Sequence, residues 1–424
     1  MTDTLALHGG APAIPEPLEL FKSMGEDEVQ AASGVVRSGV LSAFIGAPGD
    51  YFMGGDQVRT FEKKAADYFG VKHALTVNSW TSGLIAAVGA IGIEPGDEII
   101  TTPWTMSATA MAILHWNAIP VFADIEPDSF NIDPDRVEAL IGPRTRAIMA
   151  VDIFGQSADM TRLRGIADKH GLKLLTDTAQ APGSRAGNRY TGTLADIGGF
   201  SLNYHKHIHC GEGGILVTDD DAMAQRMALI RNHAESVIKS DDPSALANMI
   251  GYNFRMGEIE AAIASVQLDK LEARVSSRQR AAAQLDKGLA GLAGLTTPLV
   301  EPDGTHVYYV YGITLDVDAI GVSRARILDA LRAEGVPGLM AGYQNLHLLP
   351  IFRNKIAYGT GGFPWTLATR EVAYGPDTCP VAEDLHARTF FGINLCMCEF
   401  PPQDIDAVVA AFQKVWANLD ALKE

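Results

Sequence analysis

Lys206 lies in the segment 199–214, Gly-Phe-Ser-Leu-Asn-Tyr-His-Lys-His-Ile-His-Cys-Gly-Glu-Gly-Gly, between two short apolar runs at 197–203 and 214–218. Runs of that length suit buried strands, and Gly211, Gly213 and Gly214 permit tight turns, so the lysine belongs in a loop between strands. A lysine amine becomes a nucleophile when desolvation or nearby cations lower its pKa, and His205 and His207 flank this one. Such an amine can hold an aldehyde cofactor as a Schiff base. The plain alternative is a solvated surface lysine. His205, His207, His209 and Cys210 also admit a metal, but no second ligand pair of recognisable spacing occurs in the chain, so no metal site is expected.

Two further segments offer partners for such a cofactor. The apolar run opening 172–183 stops at Asp177 and leads into Gln180, just past a strand's carboxyl end, where open α/β sheets bind ligands. A carboxylate there can pair with the pyridinium nitrogen of pyridoxal 5′-phosphate and keep the ring an electron sink, or it can simply cap a turn. Residues 74–88 read as an apolar strand, a turn rich in hydroxyls and a helix. Amides at that helix start, with Ser79 and Thr81, can seat a phosphate; ordinary N-capping is the bland role. The turn lacks the lysine of a P-loop and the glycines of a dinucleotide fingerprint, which disfavours nucleoside triphosphates and NAD.

Together these segments resemble the DegT/StrS sugar aminotransferases, PLP enzymes of the aspartate aminotransferase fold (fold type I). The likeness extends through residues 54–62, 96–100, 120–124, 155–160, 177–180, 211–214, 231–233, 252–256, 306–308 and 379–383. It implies that Lys206 is the Schiff-base lysine and Asp177 the pyridinium partner. Gln180 falls near the cofactor's phenolate oxygen, and Trp80, Thr81 and Ser201 at phosphate-binding positions, Trp80 through its backbone amide. Asn253 matches an asparagine that reaches the phosphate in the neighbouring subunit, which implies a homodimer with shared active sites. The implied reaction moves an amino group from glutamate or glutamine to a keto-sugar, usually nucleotide-linked, with a keto-cyclitol such as an inosose as the alternative acceptor. His233, His306, Tyr308, Tyr311 and His347 are candidate substrate contacts.

The chain departs from the family in three places. An aromatic that would stack on the cofactor is two positions early: Trp104 precedes Met106, so either Met106 covers the ring or Trp104 swings in. Trp80 is bulky where the family has glycine or alanine, and residues 395–402 differ from the usual Leu-Pro ending. A related sugar dehydratase has histidine in place of the lysine, and a noncatalytic regulator would be expected to lose Lys206 or Asp177; both residues are present here.

The elements that must position these groups alternate between strand-like and helix-like runs from about 72 to 218, the pattern of a mainly parallel sheet flanked by helices. Residues 1–70 read as a loop-rich arm plus helices, and 257–289 as long helical structure. The β character of 307–315, with amphipathic helices at 324–334 and 404–422, suggests a smaller α+β C-terminal domain. The expected division is 1–270, arm and PLP-binding domain, and 271–424. Gly359, Gly361, Gly362 and Pro364 mark a loop, either a surface connection or a flap. With 424 residues, 47% of them hydrophobic, the chain can bury a large core. Its formal net charge of −17 disfavours nucleic acid and anionic membranes as partners. Four cysteines without a disulfide framework, no secretory signal and no run of the ~18 apolar residues that a membrane helix needs fit a cytoplasmic enzyme.

Overall fold

The computed structural model describes residues 4–423. A four-stranded parallel sheet runs in the order Ile119–Phe122, Glu98–Thr101, Thr145–Val151, Lys173–Asp177. A parallel bridge between Leu175 and Ile197 carries it into Gly198–Ser201, Gly214–Thr218 and His73–Val77. Within this sheet Gly214–Thr218 runs antiparallel to both of its neighbours.

The central strands are apolar on both faces because both are covered. Alternate residues of one strand enter different cores: Ile148, Ala150 and Leu174 pack on one side, and Ala147, Met149 and Leu175 on the other. That is the period of two expected of a strand buried between helical layers. Helix Met160–His170 covers the first side, and Trp80–Ala90 with Asp221–Arg231 the second. One charged network lies inside: Glu62 accepts from the Thr76 amide at 2.8 Å, from the Thr76 hydroxyl at 2.9 Å and from Arg231 at 2.5 Å. It ties helix Asp56–Phe69 to strand His73–Val77 and to the end of helix Asp221–Arg231.

A second, antiparallel sheet orders Leu295–Thr296, Val310–Leu315, Phe390–Asn394 and Leu339–Ala341. Helices Arg324–Ala333 and Pro402–Ala417 bury their apolar faces in its core. The N-terminal arm packs here too. Leu5 and Ile14 join this core, and the Ala6 and Ala13 amides donate to the Glu334 carboxylate at 2.8 and 2.9 Å. The arm therefore crosses to the C-terminal part instead of lying with the parallel sheet, because Glu334 satisfies amides that no strand pairs. The long helical stretch divides at Lys270 into Glu258–Asp269 and Leu271–Leu289.

Candidate active site

Lys206 stands in the connection between antiparallel strands Gly198–Ser201 and Gly214–Thr218, which pair Ser201 with Gly214. The connection is anchored from below. The Leu202 amide donates to Gly213 O at 2.9 Å and the Cys210 amide to Leu202 O at 3.1 Å. Helix Leu271–Leu289 reaches it through Arg274 Nη1, which donates to His207 O at 3.0 Å, and the His207 ring is bonded to Val307 O at 2.7 Å. So held, the Lys206 side chain is buried, with its amine 4.3 Å from the centroid of the Tyr309 ring. Among the described residues it has no salt bridge or hydrogen bond.

Desolvation by this burial lowers the amine's pKa to about 8, against the opposing pull of Asp177 and Cys396. The flanking histidines are not the cause. Burial pushes His205 down to about 4 and His207 to about 3, so both are neutral near pH 7 and supply no cation. Sequence spacing placed them beside the lysine, but burial removed their charge. His209 pairs with the Ser23 hydroxyl, and among the described residues no group of three or more His, Cys, Asp or Glu side chains is placed to hold a metal.

Asp177 ends strand Lys173–Asp177 and is buried. Its Oδ1 accepts from the Trp80 indole at 2.7 Å and its Oδ2 from the Thr109 hydroxyl at 2.7 Å. Gln180 follows in the next turn. Its Oε1 accepts from the Phe154 amide at 2.9 Å, and its Nε2 donates to the Tyr343 hydroxyl at 3.0 Å. Ser79 caps helix Trp80–Ala90, accepting from the Ser82 amide at 3.1 Å, and its carbonyl takes the Gly83 amide. Among the amides that the helix start leaves without intrahelical partners, those of Trp80 and Thr81 are open to an anion. Thr81 is exposed and Ser201 buried.

The remaining expected residues divide. Met106 is 59% exposed, whereas Trp104 is fully buried, edge-on to Phe390 at 5.5 Å, with its backbone bridged to Asn345. Trp104 is therefore locked in the core and not free to swing in. Asn253 is exposed beside the Asn78–Thr81 turn of its own protomer; its carbonyl accepts from Asn78 Nδ2 at 3.3 Å and its Oδ1 from Arg255 at 2.7 Å. The substrate candidates are engaged elsewhere. His306 is buried and stacked on Tyr308 at 4.2 Å, and Tyr308 and Tyr311 lie in the C-terminal core, where Tyr311 donates to Asp286 at 2.5 Å. His347 is buried against Glu383 at 2.9 Å, and His233 is 3.6 Å from Glu235.

Tyr309 and Tyr343 are the residues that sequence reasoning missed. Tyr308 has φ 52°, a left-handed kink that breaks strand alternation just before Val310–Leu315. The kink exchanges the sides that alternation would assign: Tyr308 joins Tyr311 in the C-terminal core, and Tyr309 faces the Lys206 amine. Tyr343 gave no signal beyond being an aromatic in a polar stretch.

A buried, unpaired lysine near a buried aspartate, with an open helix start beside them at the carboxyl edge of an α/β sheet, is the donor set that pyridoxal phosphate requires. The fold and this set define a PLP-dependent enzyme. The chain belongs to the DegT/DnrJ/EryC1/StrS aminotransferase family, whose model matches residues 45–410. It is 34% identical to GDP-perosamine synthase of Caulobacter vibrioides over 84% of this chain and 89% of that one. It is 32% identical to the putative L-glutamine:3-amino-2,3-dideoxy-scyllo-inosose aminotransferase of Streptoalloteichus tenebrarius over the whole of both chains. Among solved structures it is similar to S. venezuelae DesV in complex with ketimine intermediate, with a TM-score of 0.77 and 28% identity over 92% of this chain and 94% of that one.

Proposed function

We propose that Lys206 and Asp177 carry the transamination, and that the acceptor is a nucleotide-linked keto-sugar, with glutamate or glutamine as donor. The observation that carries this reading is the desolvated Lys206 amine, unpaired and within electrostatic reach of the buried Asp177 carboxylate. The GDP-sugar named for the Caulobacter relative supports the acceptor class. A keto-cyclitol is the second reading, supported by the end-to-end match with the Streptoalloteichus relative, whose name specifies L-glutamine as donor.

The residues fit the cofactor. The Trp80 and Thr81 amides with Ser201 would hold its phosphate, Asp177 its ring nitrogen, Gln180 its phenolate side and Lys206 its aldehyde carbon, with Met106 free to lie against the ring. Pyridoxal phosphate, when bound, supplies a carbon to which a primary amine can attach and a protonated ring that accepts the electron pair left at a deprotonated α-carbon. Lys206 would hold that carbon through its Nζ, and the same amine, once free and neutral, would take the donor's α-proton and return a proton to the acceptor's carbon in the reverse half of the reaction. A pKa near 8 leaves enough neutral amine at physiological pH for both directions. Asp177 would face the ring nitrogen, and Tyr309 covers the amine.

We further propose a homodimer in the cytoplasm whose subunits share active sites through Asn253, supported by that side chain's exposure and by four unpaired cysteines. Neither nucleic acid nor membrane is among the proposed partners. The two parts of the chain divide at Lys270, with residues 5–14 packed on the second.

The test is a visible spectrum of the purified protein. It is recorded after addition of glutamate or glutamine, and again after each of a panel of nucleotide-linked keto-sugars and inososes. The band of lysine-bound cofactor should disappear with donor and return with one acceptor class, and Lys206→Ala should show neither the band nor turnover. Normal turnover in Lys206→Ala would sink the reading.

A further inference from the structure

Trp80 opens helix Trp80–Ala90, and its side chain folds back over the sheet instead of outward. The indole lies so close to the strands that a Cβ at Gly199 would be 2.4 Å from it, and one at Gly83, on its own helix, 2.7 Å away. In that slot its Nε1 meets Asp177 Oδ1 at 2.7 Å, beside the Ala179 amide at 3.2 Å, while Thr109 takes Oδ2 at 2.7 Å. A carboxylate offers about four lone-pair positions on its two oxygens, so these donors leave room for one more.

We propose that the Trp80 indole and the Thr109 hydroxyl form a clamp that sets the plane of the Asp177 carboxylate toward the cofactor's ring nitrogen. Trp80 is then a positioning residue with two functions at opposite ends of the cofactor: its backbone amide faces the phosphate and its side chain steadies the ring's partner. A glycine or alanine at this position supplies only the first. Gly83 is the matching feature, since a methyl group there would meet the indole first, whereas at Gly199 the Ile215 carbonyl already excludes one. The proposal rests on the reading of Asp177 as the ring-nitrogen partner.

Trp80→Phe keeps the ring and removes the N–H. Apoprotein titrated with pyridoxal phosphate should bind it roughly tenfold or more weakly, the scale of a lost hydrogen bond to a charged group. The visible circular dichroism of the bound cofactor should fall as its ring is held less firmly. Trp80→His, which restores an N–H, should recover part of both, and Gly83→Ala, which displaces the indole while leaving the clamp residues intact, should resemble Trp80→Phe. If Trp80→Phe fails to fold, Thr109→Val carries the same test through the other oxygen. Wild-type affinity and dichroism in Trp80→Phe, with Asp177→Asn impaired, would overturn the clamp alone. Wild-type behaviour in Asp177→Asn would overturn the reading beneath it.

Discussion

At the scale of single residues the chemistry depends on where the protein keeps water out. Lys206 is activated by burial, and the neighbouring histidines contribute no charge. Only the neutral amine attaches the aldehyde, so the rate at which apoprotein takes up pyridoxal phosphate should rise with pH through about 8 and level off above it, followed by visible absorbance at a fixed cofactor concentration. A midpoint near the ordinary lysine value would mean that the amine is solvated. Tyr309→Ala should move that midpoint upward by admitting water, whereas Tyr309→Phe, which keeps the covering ring, should leave it nearly in place.

At the scale of elements, the strand ends and helix starts are held by polar groups that cannot be removed singly. Arg231 is fully buried, and its charge is balanced by Glu62. Glu62→Ala should therefore cost about 3–5 kcal/mol in denaturant unfolding, because it strands a buried guanidinium. A loss under about 1 kcal/mol would show that water or another anion reaches it. Ser79→Ala should cost about 1 kcal/mol of stability as a lost N-cap, and should also loosen phosphate retention if the Trp80 and Thr81 amides form the seat.

At the scale of the whole molecule, one stretch near the N-terminus carries a run of exposed apolar side chains, with others such as Met106, Tyr204 and Ile250 exposed elsewhere. Val29, Val36, Val40, Leu41, Ile45 and Tyr51 are each at least half exposed along the segment that leads to helix Asp56–Phe69. Exposed apolar side chains favour association, and a second copy of this chain is the occupant that the proposed shared active site requires. Sedimentation should give a dimer, and Leu41→Asp should weaken it and release cofactor with the same concentration dependence. Mixing Lys206→Ala and Asn253→Ala subunits distinguishes the two ways the site can be built. If Asn253 serves the partner's cofactor, hybrids regain one working site; if it serves its own, they regain none.

The sequence alone carried the fold class in its apolar runs of strand length, and the cofactor and the reaction in the family resemblance of ordered segments from 54–62 to 379–383. Its local patterns offered the site: a hydroxyl-rich turn opening a helix, an aspartate ending a strand, and a lysine in a glycine-bounded hairpin. Those features depend on near neighbours in the chain. The tertiary structure decided what depends on residues far apart in sequence. It neutralised His205 and His207, moved Tyr308 into the C-terminal core and Tyr309 against Lys206, locked Trp104 beside Phe390, and brought Trp80 to Asp177 across 97 positions. Burial and side-chain direction arise when separate elements pack together, and no local spacing encodes them.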